Sequence, residues 1–294
     1  MKLATVKDRD TEEVCLCTSF GLFPLEILNR QFNRSWPYDM LPLIQSGKLG
    51  ELNGWYCSGG QEELGRLKDG AVAYDRVEFT PPYRRPRKIW GIGLNYQEHA
   101  VDLSETAPTN EPASFMKPDT TIIGYKDYIQ IPLQSKRTTA EGELGIIIGR
   151  KCKDVEQKDW LSVVAGFTTI IDITAEDILR KNPRYLTMSK SFDTFFSFGP
   201  LLLTPDEIED VLMLEVATVI NGKVHASNVV ANMTFPPDFL VSFHSRVMTM
   251  LPGDIISTGT PGAVPISEGD TVECRINGFE PLVNPVRDLK KISE

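Results

Sequence analysis

Residues 141–150, EGELGIIIGR, and residues 163–175, VVAGFTTIIDITA, decide how this chain folds. Both are apolar runs of strand length, rich in β-branched residues and bounded by glycine or aspartate. In a strand, residues i and i+2 point to the same face. Glu141 and Glu143 therefore stand side by side at the entry to the first run, and Asp172 lies inside the second. Outward from this pair, further strand-like runs occur at 88–94 (KIWGIGL), 199–204 (GPLLLT), 214–220 (LEVATVI), 254–259 (DIISTG) and 271–276 (TVECRI). In the last, Val272, Cys274 and Ile276 alternate with Thr271, Glu273 and Arg275, the pattern of a half-buried strand. Asn221-Gly222 lies between LEVATVI and KVHASNVV and predicts a hairpin. Helices are fewer. Thr204-Pro205-Asp206-Glu207 reads as a capping box with proline at the first helical position. Phe239, Phe243, Val247 and Met250 recur at helical spacing over 237–250. The expected class is α+β and β-rich, with peripheral helices.

Residues 1–80 have a different texture and read as a small N-terminal α/β domain, with 81–294 as the catalytic domain. A short strand (LATV) opens the first unit, and helices broken by glycine follow at 39–55 and 61–70. TPPYRRPRK, at 80–88, is proline-rich and basic, and reads as a semi-rigid linker or an extended crossing.

The 294 residues are 41% hydrophobic and 24% charged, an ordinary globular composition. A net charge of −9, with no basic run longer than the RRPRK of 84–88, argues against nucleic acid or an anionic membrane as the main partner. No apolar run approaches the roughly 20 residues that cross a bilayer, and the start, MKLATVKDRDTEE, lacks the apolar centre of a signal peptide. Cys15, Cys17, Cys57, Cys152 and Cys274 form an odd, scattered set, as expected of reduced thiols in a cytoplasmic protein.

Two carboxylates about 5 Å apart repel by about 3 kcal/mol at an effective dielectric near 20, so the Glu141/Glu143 pair needs a proton, an arginine or a cation. An aspartate inside an apolar run is costly unless it is paired or metal-bound. Three carboxylates with room for water suit Mg2+ or Mn2+, with Ca2+ as a further candidate. With three histidines in the chain, a histidine-rich zinc or iron site is not expected. Each piece also has a plainer reading, since a Glu-x-Glu pair can be a solvated strand end and Asp172 a turn or cap.

His99 is followed at i+3 by Asp102, which on a helical turn would share its face and fix its tautomer, as a water-activating base requires. A solvated His–Asp pair is the alternative. His225 and His244 are expected to be structural. Lys190, among polar and aromatic residues, could stabilise an enolate or carboxylate oxygen. Thr258-Gly259-Thr260-Pro261-Gly262 offers a hydroxyl and backbone N–H groups to an anion, but it has neither the lysine nor the spacing of a P-loop. Gly91-Ile92-Gly93 lacks the third glycine of a dinucleotide fingerprint.

Taken in order, GLNYQEHA (93–100), ASFMKP (113–118), EGELGIIIGR, GFTTIIDITA (166–175), SKSFDTFFSFGP (189–200) and PGDIISTGTPGAV (252–264) resemble the fumarylacetoacetate hydrolase (FAH) family over roughly residues 88 to 290. The resemblance implies an FAH-type mixed β-roll catalytic domain, a homodimer, and Mg2+, Mn2+ or Ca2+ held by Glu141, Glu143 and Asp172. It implies catalytic roles for Lys190 and for His99 with Asp102, and a substrate contact at Thr260. Gly259, Tyr96 and Arg180 complete the expected substrate-binding set. It further implies catabolic chemistry on a small oxo- or diketo-acid-like substrate, foremost metal-dependent hydrolysis of a C–C bond next to a carbonyl. Decarboxylation of a 2-oxo acid such as oxaloacetate is the alternative, and a metal-holding member with altered catalysis is a third reading. The chain departs from the family pattern at four positions. Asp102 stands for the usual Glu, Ile171 for Asn, Glu176 for Arg and Leu179 for Gln. The last two normally help to hold substrate, so Arg180 or Arg184 is expected to serve as the anion anchor instead.

Overall fold

A computed structural model describes residues 1–8, 11–96 and 108–292. Among these residues the chain forms two sheets. The strands, in chain order, are β1 (Lys2–Asp8), β2 (Thr11–Thr18), β3 (Gly21–Pro24), β4 (Glu78–Phe79), β5 (Ile89–Gly93), β6 (Ala113–Lys117), β7 (Ile122–Ile123), β8 (Ile129–Ile131) and β9 (Thr138–Ile148). They continue with β10 (Val164–Ala175), β11 (Phe196–Phe198), β12 (Leu201–Leu203), β13 (Glu215–Ile220), β14 (Lys223–Val229), β15 (Ile255–Ser257), β16 (Val264–Ile266), β17 (Thr271–Ile276) and β18 (Leu282–Asp288). The larger sheet runs β3-β2-β1-β12-β10-β9-β15-β5-β6, and the smaller runs β14-β13-β17-β18-β8. The fold is the strand-rich α+β class expected.

The antiparallel pair β9–β10 is the spine. Every residue of both strands is buried, as runs without alternation require. Their register sets Asp172 opposite Glu141, Thr174 opposite Thr139 and Ile170 opposite Glu143. Gly142, between the two glutamates, lets the smaller sheet close on the opposite face. A Cβ there would meet Ala217 O and Thr218 Oγ1 at 3.0 Å, and its own N–H donates to Thr218 Oγ1 at 2.8 Å.

The predicted hairpin forms between β13 and β14, with Asn221 and Gly222 both at positive φ. β17 buries Val272, Cys274 and Ile276 as its alternation predicts. The helix Pro237–Val247 forms within the expected 237–250 segment but ends before Met250, which pairs with Cys152, and the helices Met40–Gln45, Lys48–Trp55 and Gln61–Arg66 fall within the expected 39–55 and 61–70 segments. All five cysteines are free thiols. No helix among the described residues is long and apolar enough to cross a membrane.

The capping box at 204–207 does not form. Only a single 3-10 turn follows Thr204, without a side-chain cap. Both residues are spent on Met1 instead, whose backbone nitrogen lies 2.7 Å from Thr204 Oγ1 and 2.6 Å from Glu207 Oε1. A buried positive charge outbids a local cap.

Residues 1–80 are tied into the larger sheet through β1, which pairs with β12, β2 and β4. One apolar cluster unites Leu3, Leu16, Leu28 and Trp36 with Ile147, Ile170, Phe198 and Ile255. The 80–88 stretch is an anchored extended crossing: Thr5 Oγ1 donates to Pro82 O at 2.8 Å, the buried Tyr83 hydroxyl donates to Gly253 O at 3.1 Å, and Lys88 pairs with Asp254 at 2.5 Å.

His244, on the helix Pro237–Val247, is buried edge-on against Trp90 and Phe243, and neither ring nitrogen has a hydrogen-bond partner among the described residues. Burial pushes its pKa down to about 4. The unfolded chain, with His near 6.5, takes up a proton that the folded chain refuses between pH 6.5 and 4. Stability is therefore expected to be full above pH 6.5 and to fall as pH drops through that window, by up to about 3 kcal/mol. Urea titrations of the parent and of His244→Phe at pH 7 and 4.5 measure this, and equal pH slopes would refute it. His225 is exposed on β14.

Candidate metal centre

Three strands build the site. β9 places Glu141 and Glu143 on one face, β10 sets Asp172 across from Glu141, and β15 runs into the 257–260 turn beside Glu143. One oxygen from each of Glu141, Glu143 and Asp172 lies within 4.8 Å of the others, and all three side chains are buried.

Each carboxylate has at least one oxygen held by the protein. Glu141 Oε1 accepts from Thr174 Oγ1 at 2.8 Å. Glu143 Oε2 accepts from Ser257 Oγ at 2.5 Å and from Gly259 N at 2.8 Å. Asp172 Oδ1 accepts from the Lys117 ammonium, which also donates to Ile173 O at 3.1 Å. The other oxygens of Glu141 and Asp172 accept from Lys190 Nζ, at 3.2 Å for Glu141 Oε2 and in a short ion pair for Asp172 Oδ2. Lys190 Nζ also donates to Thr174 Oγ1 at 2.8 Å and stands 4.5 Å from the Phe115 ring centroid.

Burial works against every charge here, and the neighbours decide the outcome. Burial would raise Asp172, yet the Lys117 and Lys190 ammoniums hold it below the usual carboxylate range. Burial, followed by the Asp172 and Glu141 charges, pushes Glu143 up to about 8, because no ammonium bonds it. Burial pulls Lys117 down to about 8 despite Asp172. For Lys190 burial is overcome by Asp172 and Glu141, which raise it above the ordinary lysine range.

The residues present fit a hard divalent cation. The donors are all carboxylate oxygens, and their number and burial match an ion that keeps open positions for water or substrate. Pinning the second oxygen of each carboxylate orients the first, as outer hydrogen bonds do around metal ligands. Lys190 bonds one oxygen of Glu141 and one of Asp172, so it and a cation compete for these two side chains.

The site borders a cavity of about 430 Å³ through Glu141; Lys190, Thr139, Thr174, Thr260, Ile92, Leu94, Phe115, Leu179 and Leu186 are among its other lining residues. A larger cleft, about 1070 Å³, lies at the N-terminal strands among Lys2, Tyr74, Phe79 and Tyr125. It contains none of the carboxylate triad, so the chemistry belongs to the smaller cavity.

Other predicted residues have mixed placements. Thr260 is buried in the cavity wall and exchanges hydrogen bonds with Gly262. The Gly259 N–H serves an anion, but that anion is the Glu143 carboxylate. Tyr96 is buried and bridges to Met233. Arg180 lines the cavity with its Nε and Nη2 engaged by Glu176 at 2.7 and 2.5 Å. Arg184 is not among the lining residues. His99 and Asp102 lie outside the described residues. Sequence reading missed Lys117, Thr174, Ser257 and Arg137. Lys117 carried a usable signal, a lysine ending the apolar strand ASFMK.

A family profile described as Fumarylacetoacetate (FAA) hydrolase C-terminal matches residues 88–287. An uncharacterised protein of Archaeoglobus fulgidus is 41% identical over 214 residues, 72% of this chain and 83% of that one. The mitochondrial oxaloacetate tautomerase Fahd2a of Rattus norvegicus is 35% identical over 223 residues, 73% of this chain and 71% of that one. Among solved structures, the fumarylacetoacetate hydrolase of psychrophilic Exiguobacterium antarcticum superposes with a TM-score of 0.80 at 26% identity, covering 98% of this chain and 99% of that one.

Proposed function

Because the chain belongs to the fumarylacetoacetate hydrolase family, we propose that it is a divalent-metal-dependent hydrolase that cleaves a C–C bond next to a carbonyl in a small oxo- or diketo-acid. The observation that carries the reading is the buried carboxylate triad with Lys190 beside it, next to a substrate-sized cavity that Glu141 and Lys190 line.

Glu141, Glu143 and Asp172 would hold Mg2+ or Mn2+, which would supply positive charge to the substrate head group. Lys190 donates a hydrogen bond to the enolate oxygen that forms as the C–C bond breaks. His99, with its tautomer held by Asp102, takes the proton from a water that attacks the second carbonyl. The bond's electron pair passes to the head, which leaves as an enolate and is protonated, while the other fragment leaves as a carboxylic acid. Thr260 contacts the substrate from the cavity wall, with Tyr96 and the Gly259 turn behind it. The protein acts as a cytoplasmic homodimer, and residues 1–80 buttress the catalytic domain through the shared sheet.

His99→Ala is expected to abolish hydrolysis, by about 10²–10⁴-fold, with Mn2+ affinity near the parent's. Calorimetry and turnover of acylpyruvates measure both, and loss of metal from that variant would refute the role assigned. A second reading is decarboxylation of an oxaloacetate-type acid; the rat relative, named as an oxaloacetate tautomerase, supports that substrate type and not the loss of CO2. Product analysis separates them: CO2 marks decarboxylation, and two organic fragments mark hydrolysis.

A further inference from the structure

The charged side chains in the wall around Glu176 are bound to one another. Among the described residues, the charged side chains lining the cavity apart from Glu141 and Lys190 are Glu176 and Arg180, and these are paired with each other. The Glu176 side chain is only 6% exposed, and both its oxygens are taken: Oε1 by Arg180 Nε and Nη2, Oε2 by the Arg137 Nε. The Arg180 edge bearing Nε and Nη2, one of the guanidinium faces that grip a carboxylate with two parallel bonds, is therefore committed to the protein's own carboxylate. Arg137 is not in the lining, and its side chain is about half exposed, as is that of Arg180, so their remaining charge is screened by water. Among the described residues the rest of that wall is mainly apolar, with Ile92, Leu94, Phe115, Leu179, Pro183 and Leu186, and Ser114 adds one hydroxyl. Residues 97–107 contain no lysine or arginine, so that segment brings no fixed cation wherever it lies.

Building on the reading of the head group above, we propose that the substrate carries an uncharged, apolar tail, and that Glu176, clamped by Arg137 and Arg180, is the specificity-determining residue that rejects a second carboxylate at that end. A distal carboxylate would shed water beside Glu176 and find the nearest guanidinium already neutralised. An alkyl or aryl tail would shed water into a wall that matches it. The substrate class is thus an acyl- or aroyl-substituted oxo acid rather than an oxo dicarboxylate.

The test uses the full-length protein loaded with Mn2+ and two oxo acids of equal chain length, 2-oxohexanoate and 2-oxoadipate, with oxalate as a head-group control. Calorimetry is expected to show 2-oxohexanoate binding at least tenfold more tightly than 2-oxoadipate. Glu176→Gln removes the counter-charge from two arginines, and is expected to narrow or invert that ratio by tenfold or more. Equal or tighter binding of 2-oxoadipate by the parent would overturn the inference without any variant. A parental ratio in folded Glu176→Gln would overturn the role of Glu176. If oxalate itself fails to bind, the head-group reading falls and this inference falls with it, whereas oxalate binding with the wrong tail preference sinks the inference alone.

Discussion

Glu143→Gln is expected to lower Mn2+ affinity by more than about a hundredfold while leaving the metal-free fold as stable as the parent or more so. Loss of an outer hydrogen bond at a metal site costs about 10–100-fold in affinity, and loss of a ligand costs more. A glutamine fits the local bonds well. Its carbonyl oxygen can accept from Ser257 Oγ and Gly259 N as Glu143 Oε2 does, which leaves the amide NH2 facing Glu141 and Asp172. A donor there repels a cation and suits two carboxylates. The pH dependence has a definite sign. Glu143 is raised to about 8 by burial and by the neighbouring carboxylates, so its stabilising contribution is full below its unfolded value near 4.5 and is lost as pH rises through 8. The variant escapes that loss. Its stability advantage in the metal-free state is expected to grow between pH 5 and 8, to on the order of 1–3 kcal/mol. Calorimetric Mn2+ titration and thermal unfolding from pH 5 to 9 read both effects. Parental Mn2+ affinity in the folded variant would show that the triad is not the metal site.

Lys190→Met is expected to reduce turnover by about 10²–10³-fold, the usual consequence of removing one donor from a developing oxyanion. Metal affinity should move the other way, or not at all. Lys190 Nζ bonds Glu141 Oε2 and Asp172 Oδ2, the oxygens not held by Thr174 and Lys117, so removing it frees two ligands for the cation. The metal-free variant loses a buried counter-charge and should be destabilised by about 3–5 kcal/mol, the cost of breaking a buried pair from one side. Mn2+ should then raise its Tm more than it raises the parent's, because the ion replaces the missing charge. Weaker metal binding would contradict the competition between ammonium and ion, and undiminished turnover of a substrate the parent accepts would remove Lys190 from the chemistry.

Much of this site was legible in one dimension. The two-residue period of a strand is a local property, so Glu141 and Glu143 could be put on one face from their spacing alone. The cost of an aspartate in an apolar run is likewise local, and it marked Asp172 before any partner was known. The hairpin at Asn221-Gly222 and the alternation in Thr271–Ile276 follow from φ preference and burial period in the same way. The capping box failed for a non-local reason, since Met1 reached Thr204 from 203 residues away, and Glu207 with it, and took both side chains.

The amino-acid sequence by itself determined the periods, the strand-rich class and the residues whose burial had to be compensated. Only the tertiary structure decided what compensates them. Lys117 meets Asp172 from 55 positions away, and Ser257 meets Glu143 from 114. Arg137 and Arg180 turn Glu176 from an orphaned acid into the centre of an ion cluster. The physical reason is that a strand's pattern states which face is apolar but not which strand lies beside it. Partner and register emerge only when all the strands bury their surfaces together.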